Sequence, residues 1–260
     1  MDAMNVYARC ARKLNHFCRS DGVSLGGLYG FIRLVDAMVR DLRAETVYVA
    51  MEGGGASRRR LFWNEYKASR SDRSEWWVTE QVDAIPQWSV LKGYHPVAVH
   101  GGEADDAIAL LVRSFIGKRI AILTADHDLR QLLSEEDVLI YAAPGSVPYG
   151  RMEFEVEHGF SPSSYRLYKA LVGCSSDGVP GLLSRPAASA ICKLNPCWRD
   201  EEIRRLGINS EKVERNLKLV ALGEDIKDEV KEIVVRENAH SLEEFYFGWE
   251  LMSLLREEVG

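Results

Sequence analysis

Gly102-Glu103-Ala104-Asp105-Asp106 and, one helix and one strand further on, Thr124-Ala125-Asp126-His127-Asp128 gather five carboxylates into two tight clusters. Each follows a short apolar run, Val97-Ala98-Val99 before the first and Ile120-Ala121-Ile122-Leu123 before the second. Such runs read as buried strands. Carboxylates at the carboxyl ends of neighbouring parallel strands converge on the crevice where α/β sheets take their ligands. Charges so crowded repel one another, and a hard divalent cation with oxygen ligands is the usual remedy. An acid in the first turn of a helix also complements the helix dipole, and Asp126 or Asp128 also reads as an N-cap. Three acids in four residues, with a second pair after the next strand, favour the cation-binding reading.

Working outward, strand and helix alternate. Helices are predicted from about Ala3 to Phe17 and from about Leu25 to Leu42, with apolar residues at helical spacing. A strand at Val47-Tyr48-Val49-Ala50-Met51 ends in Glu52 and three glycines. Trp76 to Leu91 has mixed helical character broken at Pro86. Then come strand 97–99, helix 104–115, strand 120–123, a short helix near 129–133 and strand 138–141. This alternation implies a parallel sheet covered by helices on both faces. Pro144-Gly145 and Pro148 mark a linker. Past Phe160 the only strand signal is a short apolar run near Ile233. The expected division is an α/β metal-binding domain over 1–145 and a helical domain over 146–260.

The chain has 260 residues, enough for one large α/β domain or a core with a small satellite. It lacks an apolar run of about eighteen residues, and its first residues lack the basic and apolar segments of a signal peptide. Five scattered cysteines without a CxxC pair argue for a reducing compartment and against a zinc or disulfide framework. The expected location is the cytoplasm. The net charge of −6 argues weakly against nucleic acid, but Arg58, Arg59, Arg60, Lys67, Arg70 and Arg73 crowd one segment. A basic patch beside an acidic crevice suits a phosphate backbone held across metal ions.

Two further stretches carry chemistry. Glu65-Tyr66-Lys67-Ala68-Ser69-Arg70 sets two cations on one helical face next to an aromatic ring. It reads as a solvated basic face or as a phosphate clamp with Tyr66 stacking on a base. Gly173-Cys174-Ser175-Ser176-Asp177-Gly178-Val179-Pro180-Gly181 reads as an inter-helix loop, or as a backbone N–H cradle for phosphate with Asp177 reaching toward metal.

Taken together, these motifs resemble the 5′-nuclease family of flap endonucleases and 5′→3′ exonucleases of bacterial and bacteriophage type. Asp2-Ala3-Met4-Asn5 is similar to its Asp-Gly-x-Asn, Val49 to Gly53 to its Val-x-Phe-Asp-Gly, and Tyr66 to Arg70 to its Tyr-Lys-x-x-Arg. Glu103 to Asp106 and Asp126 to Asp128 are similar to its two central acidic motifs, and Cys174 to Gly181 to its Asp-x-Ser-Asp-x-x-Pro-Gly. The resemblance implies a PIN-like parallel sheet flanked by helices, a short arch near 58–95 and a helix–three-turn–helix DNA-binding element near 160–195. It implies two-metal hydrolysis of DNA with two Mg2+ ions, Mn2+ substituting. Asp2, Glu52, Glu103, Asp105 and Asp106 would hold the first ion, and Asp126, Asp128 and Asp177 the second. Lys67, Arg70 and Asp105 would be catalytic. Tyr66, Lys67, Arg70, Gly173, Ser175, Ser176, Gly178, Val179 and Gly181 would contact DNA. The implied partners are DNA with 5′ ends, flaps or branches, and replication proteins, with the chain a monomer away from membranes.

Three departures stand out. The family's strand before its first Asp is absent, which leaves Asp2 on an end expected to fray. Cys174 stands where the family has a metal-ligating Asp, and magnesium prefers oxygen to thiol. Ser184-Arg185-Pro186 replaces the family's Gly-x-Gly, and Pro186 brings no N–H toward phosphate. The alternatives are a structure-selective DNA-binding relative that has lost most catalysis, and an RNA-cleaving nuclease of the PIN-like fold. The helix–three-turn–helix remnant and the Tyr-Lys-x-x-Arg segment count against the latter.

Overall fold

The computed structural model describes residues 1–54, 57–68, 78–194, 207–224, 226, 229–235 and 239–259. Arg70, Arg73, Trp76 and Trp77 lie outside them, and with them the middle of the expected arch.

Along the chain the elements are α1 Ala3–Lys13, α2 Gly26–Leu42, β1 Tyr48–Ala50, α3 Arg58–Phe62, α4 Thr79–Leu91, β2 His95–Ala98, α5 Ala104–Ser114, β3 Ile120–Leu123 and β4 Val138–Tyr141. They continue with α6 Arg151–His158, α7 Tyr165–Val172, α8 Arg185–Leu194, α9 Ser210–Val220, β5 Lys231–Glu232, α10 Leu242–Gly248 and α11 Met252–Val259. β1 and β2 pair in parallel, as do β3 and β4.

Met1 and Asp2 join these two strand pairs. The Ala50 N–H donates to the Met1 carbonyl at 2.9 Å, and the Asp2 N–H donates to the Leu123 carbonyl at 3.2 Å. Two residues thus act as a minimal central strand, and Asp2 is 5 % exposed. The expectation of a fraying Asp2 is corrected: pairing on both sides satisfies the backbone groups that an end leaves open. Asp2 then caps α1, its Oδ1 accepting from the Asn5 N–H at 3.0 Å.

α1 buries Ala3, Val6, Tyr7, Cys10 and Ala11 along one stripe. It stops at Lys13, short of Phe17, because the chain folds back into a bridge between Cys18 and Ser24. α2 lies close against it. A Cβ at Gly26 would stand 1.9 Å from the Leu14 carbonyl oxygen, and one at Gly27 would stand 2.3 Å from the Tyr7 ring. Glycine sets that approach.

α4 runs through Pro86 instead of breaking there. Proline forfeits one helical hydrogen bond, but fully buried neighbours fix the helix on both sides. Ile85 is buried, and Trp88 stands edge-on to Phe31 and Tyr94 and donates its indole N–H to the Tyr246 hydroxyl at 3.2 Å. That last partner reveals a second correction. The chain past 230 returns to the α/β half, with β5 pairing antiparallel to β2 and Phe245, Tyr246, Leu251 and Leu254 joining the core of α1, α2 and α4. The helical region expected over 146–260 therefore gives up β5, α10 and α11 to the first half.

A buried ion pair ties α3, α5 and α9 together. Both guanidinium arms of Arg59 reach Asp106 at 2.7 Å, and Arg59 also donates to the carbonyls of Leu219, at 2.9 Å, and Ala221. Arg59 is 9 % exposed, so it does not belong to the basic phosphate patch read from the sequence. Removing one partner strands the other as an uncompensated buried charge, at a cost of about 3–5 kcal/mol. Arg59→Ala should lower the stability measured by urea unfolding by that amount. Arg60→Ala, at an exposed position of the same helix, should change it by less than about 0.5 kcal/mol.

Candidate metal centre

The carboxyl ends of β1, β2 and β3 open on the same side, and each delivers acids there. Glu52 follows β1, Glu103 and Asp105 begin α5 after β2, and Asp126 and Asp128 follow β3. Asp2 enters from the minimal strand between them. Thr124 orders this edge: its hydroxyl donates to Asp2 Oδ2 at 3.1 Å and accepts from the Asp126 N–H at 3.0 Å. Asp126 Oδ1 in turn accepts the Asp128 N–H at 2.8 Å, and Asn5 Oδ1 accepts the Ala125 N–H at 2.9 Å.

Asp105 sits at the electrostatic centre. Burial, then the charges of Asp2, Asp126 and Asp128, push its carboxyl well above the usual range, with Lys67 the opposing influence. Glu52 lies open at the rim. Desolvation in the crevice, with Glu103, Asp2 and Asp106 adding repulsion against Lys67, still lifts it to about 7. Asp2 is raised chiefly by burial, against its bonds to Asn5 and Thr124.

Asp106 behaves differently. Burial alone would raise it, but Arg59 and the N–H groups of Gly223 and Glu103 hold it low. Oδ1 accepts from Arg59 and, at 2.8 Å, from Gly223; Oδ2 accepts from Arg59 and, at 3.0 Å, from the Glu103 N–H. With both oxygens doubly engaged, Asp106 is turned from the crevice into the ion pair, which corrects its reading as a metal ligand. It positions α5 and closes a capping box with Glu103.

Glu103 Oε2 accepts from the Lys67 ammonium at 2.8 Å, the Tyr66 hydroxyl at 3.0 Å and Arg59 at 3.3 Å. Tyr66 is 4 % exposed, so its ring packs among Ala170, Val179, Leu219 and Val220 and does not stack on a base. The sequence reading is corrected there: Tyr66 orients Glu103. Lys67 keeps its place at the crevice, while Arg70 lies outside the described residues.

The second group forms where the α7–α8 loop meets the β3 edge. Ligand atoms of Asp128, Cys174 and Asp177 lie within 4.8 Å of one another. The Lys169 ammonium stands 2.6 Å from Asp128 Oδ1 and is itself pulled upward by that carboxylate despite burial. Asp128 is raised by burial, with Lys169 opposing and Asp126 and Asp177 adding to it. The loop is tight. Cys174 and Val179 exchange both backbone hydrogen bonds, at 2.8 and 2.9 Å, around a 3-10 turn at Ser175–Asp177. Gly178 closes it at φ 69°, where a Cβ would meet the Glu65 carbonyl oxygen at 2.2 Å. That contact lets the Lys67 N–H donate to the Asp177 carbonyl at 2.9 Å, docking the Tyr66-Lys67 segment on this loop.

The N–H cradle read from the sequence is only partly present. The N–H groups of Gly173, Gly178 and Val179 bond to Lys169, Ser175 and Cys174, and the Val179 side chain is buried. Ser175 and Ser176 are exposed, and Gly181 lies on a hollow of about 570 Å³ shared with Lys169, Cys174, Ser175, Gly178 and Arg185. Pro186 sits in the first turn of α8, where its missing N–H has no helical partner to lose. Arg59, Lys169 and Thr124 were not legible as site residues; only the place of Thr124 directly before Asp126 could have signalled one of them.

Residues 1–159 match the family model described as "5'-3' exonuclease, N-terminal resolvase-like domain". A 5'-3' exonuclease of Aquifex aeolicus is 28 % identical over 99 % of this chain and 93 % of its own length. One from Bacillus subtilis is 30 % identical over 65 % of this chain and 58 % of its own. The bacteriophage T5 flap endonuclease, solved as a complex with DNA and metal ions, superposes with a TM-score of 0.63 at 19 % identity, covering 85 % of this chain and 88 % of that one. At that identity the superposition carries the fold.

A carboxyl raised in the folded state holds its proton more tightly there than in the unfolded chain. Its contribution to stability is therefore lost as pH rises, for Glu52 from the ordinary glutamate range to about 7. A bound divalent ion reverses that penalty, adding about 2.7 kcal/mol when its concentration is about 100-fold above Kd. The rise in Tm on adding magnesium should thus be several degrees at about pH 8 and small at about pH 5.5, read by differential scanning fluorimetry. An equal rise at both would contradict the assignment.

Proposed function

The chain belongs to the 5'-3' exonuclease family, and from that premise we propose that it is a divalent-metal-dependent nuclease cutting DNA at or near 5′ ends, with preference for flaps and branches. The observation that carries the reading is the crowding around Asp105 by Asp2, Asp126 and Asp128, opposed by Lys67. Oxygen donors held together at such electrostatic cost fit a hard cation such as Mg2+, with Mn2+ a substitute. Asp105 and Asp2, with Glu52, Glu103 and Asp126 directly or through water, would hold it. Such an ion supplies a water activated at neutral pH and polarises the phosphate.

The chain's own residues do the rest. Lys67, 2.8 Å from Glu103, sits where it can leave the carboxylate for a phosphate oxygen and stabilise developing negative charge. Tyr66 and Arg59 keep Glu103 aimed while Lys67 moves. Arg185 and the exposed Ser175 and Ser176 line or flank the hollow beside the second group, and would grip the duplex backbone without reading sequence.

One observation favours a second reading. Cys174 stands among Asp128 and Asp177 in place of a third oxygen donor, which suits a relative that binds branched DNA and cuts it slowly. The resemblance and the carboxylates gathered around Asp105 favour the working enzyme.

The test is cleavage of a 5′-labelled flap, a nicked duplex, single-stranded DNA and a matched RNA flap, with magnesium, manganese or chelator. Metal-dependent cutting near the DNA flap junction is expected. Tight flap binding without cutting under any metal would favour the second reading, and preference for the RNA flap would overturn the substrate class. Asp105→Asn should lower the rate by more than about 100-fold, since even an outer-shell partner of a metal is worth about 10- to 100-fold. Flap affinity in chelator should stay unchanged.

A further inference from the structure

We propose that Asp128, Cys174 and Asp177 form a mixed carboxylate–thiolate site selective for a thiophilic divalent cation of the zinc class, distinct in metal preference from the oxygen crevice around Asp105. The inference deepens the metal-dependent reading above and rests on it in taking Asp128 and Asp177 as ligands. A magnesium ion does not fit this trio: it demands hard oxygen donors in octahedral order and avoids thiolate.

Geometry, charge and support all favour the softer ion. The three ligand atoms lie within 4.8 Å of one another. A tetrahedral zinc with bonds of about 2.0–2.3 Å separates its donors by about 3.3–3.8 Å, so small side-chain adjustments close the site. Two carboxylates and a thiolate carry three negative charges. Lys169 supplies one positive charge at 2.6 Å from Asp128 Oδ1, and a divalent ion supplies the other two. The cluster is then neutral. Lys169 holds one oxygen of Asp128 and leaves the other for the ion, as an outer-shell partner does. Ser176 Oγ, 3.1 Å from Cys174 Sγ, can donate to the thiolate. Binding releases the thiol proton to solvent. Three protein ligands leave a fourth position, the arrangement of zinc sites that keep one position open, and Cys174 itself lines the hollow shared with Lys169, Gly181 and Arg185.

The site also joins two parts of the fold. Asp128 starts the turn after β3, whereas Cys174 and Asp177 lie on the α7–α8 loop that docks Tyr66-Lys67. An ion here fastens that loop, and with it Lys67, to the sheet edge.

Cobalt(II) is the probe, because a cobalt–thiolate bond gives a near-ultraviolet charge-transfer band and oxygen ligation does not. Titration of the intact protein with cobalt should produce that band. Zinc should abolish it at one equivalent, and millimolar magnesium should leave it in place. Cys174→Ser should remove the band and weaken zinc binding by more than about 100-fold. Cys174→Asp should also remove it. As a check needing no variant, zinc should protect Cys174 from iodoacetamide, mapped by mass spectrometry, and magnesium should not. Cobalt binding without the band, a band that survives in Cys174→Ser, or alkylation of Cys174 unaffected by zinc would each overturn the proposal. None of these readouts involves DNA cleavage, so failure here and failure of the nuclease reading are separable.

Discussion

Mutual repulsion among carboxylates at one end of a parallel sheet is the constraint to which the rest of this structure answers. Glu52, Glu103, Asp105, Asp126 and Asp128 are all delivered to that end by strand order, and Asp2 joins them through two backbone hydrogen bonds. The chain offsets part of the charge internally, with a different cation for each part. Arg59 neutralises Asp106 in the interior, Lys67 leans on Glu103, and Lys169 on Asp128. Asp105 lies between these pairs with its carboxyl displaced upward. The residual charge is therefore concentrated where an external cation would do most to relieve it.

Each internal cation is also a structural joint. Arg59 brings the end of α9 onto the start of α5, since its other hydrogen bonds go to the carbonyls of Leu219 and Ala221. Lys67 is carried on a segment whose backbone rests against Gly178, so its reach toward Glu103 depends on the α7–α8 loop. The acidic edge and the helical half are coupled through these contacts. A change at the loop is transmitted to Lys67 and, through it, to Glu103.

The acidic crevice was legible because its residues adjoin the strands that place them: the runs before Glu103 and Asp126 announce buried strands, and alternation fixes where their ends point. What the sequence hid depends on partners far along the chain. Arg59 read as one more member of a basic patch, yet it is buried by residues 219 and 221. Tyr66 read as a stacking ring in a basic segment, yet Ala170, Val179 and Leu219 cover it. Asp106 was indistinguishable from Asp105 by type and spacing; a single step around the α5 helix turns one to the interior and the other to the crevice. Pro86 read as a helix break because the weight of packing around Ile85 and Trp88 is invisible locally. The return of β5, α10 and α11 to the first half had only one faint signal, the apolar run near Ile233, whose N–H donates to Pro96.

If the carboxylates around Asp105 are there to hold a cation, a metal will occupy the crevice when one is supplied. Anomalous diffraction from crystals soaked in manganese tests it directly. A peak within bonding distance of Asp105, absent in Asp105→Asn, is expected, with the Arg59–Asp106 pair unchanged. A manganese-soaked crystal with no peak at Asp105, or with the metal on Asp106 in place of Arg59, would contradict it.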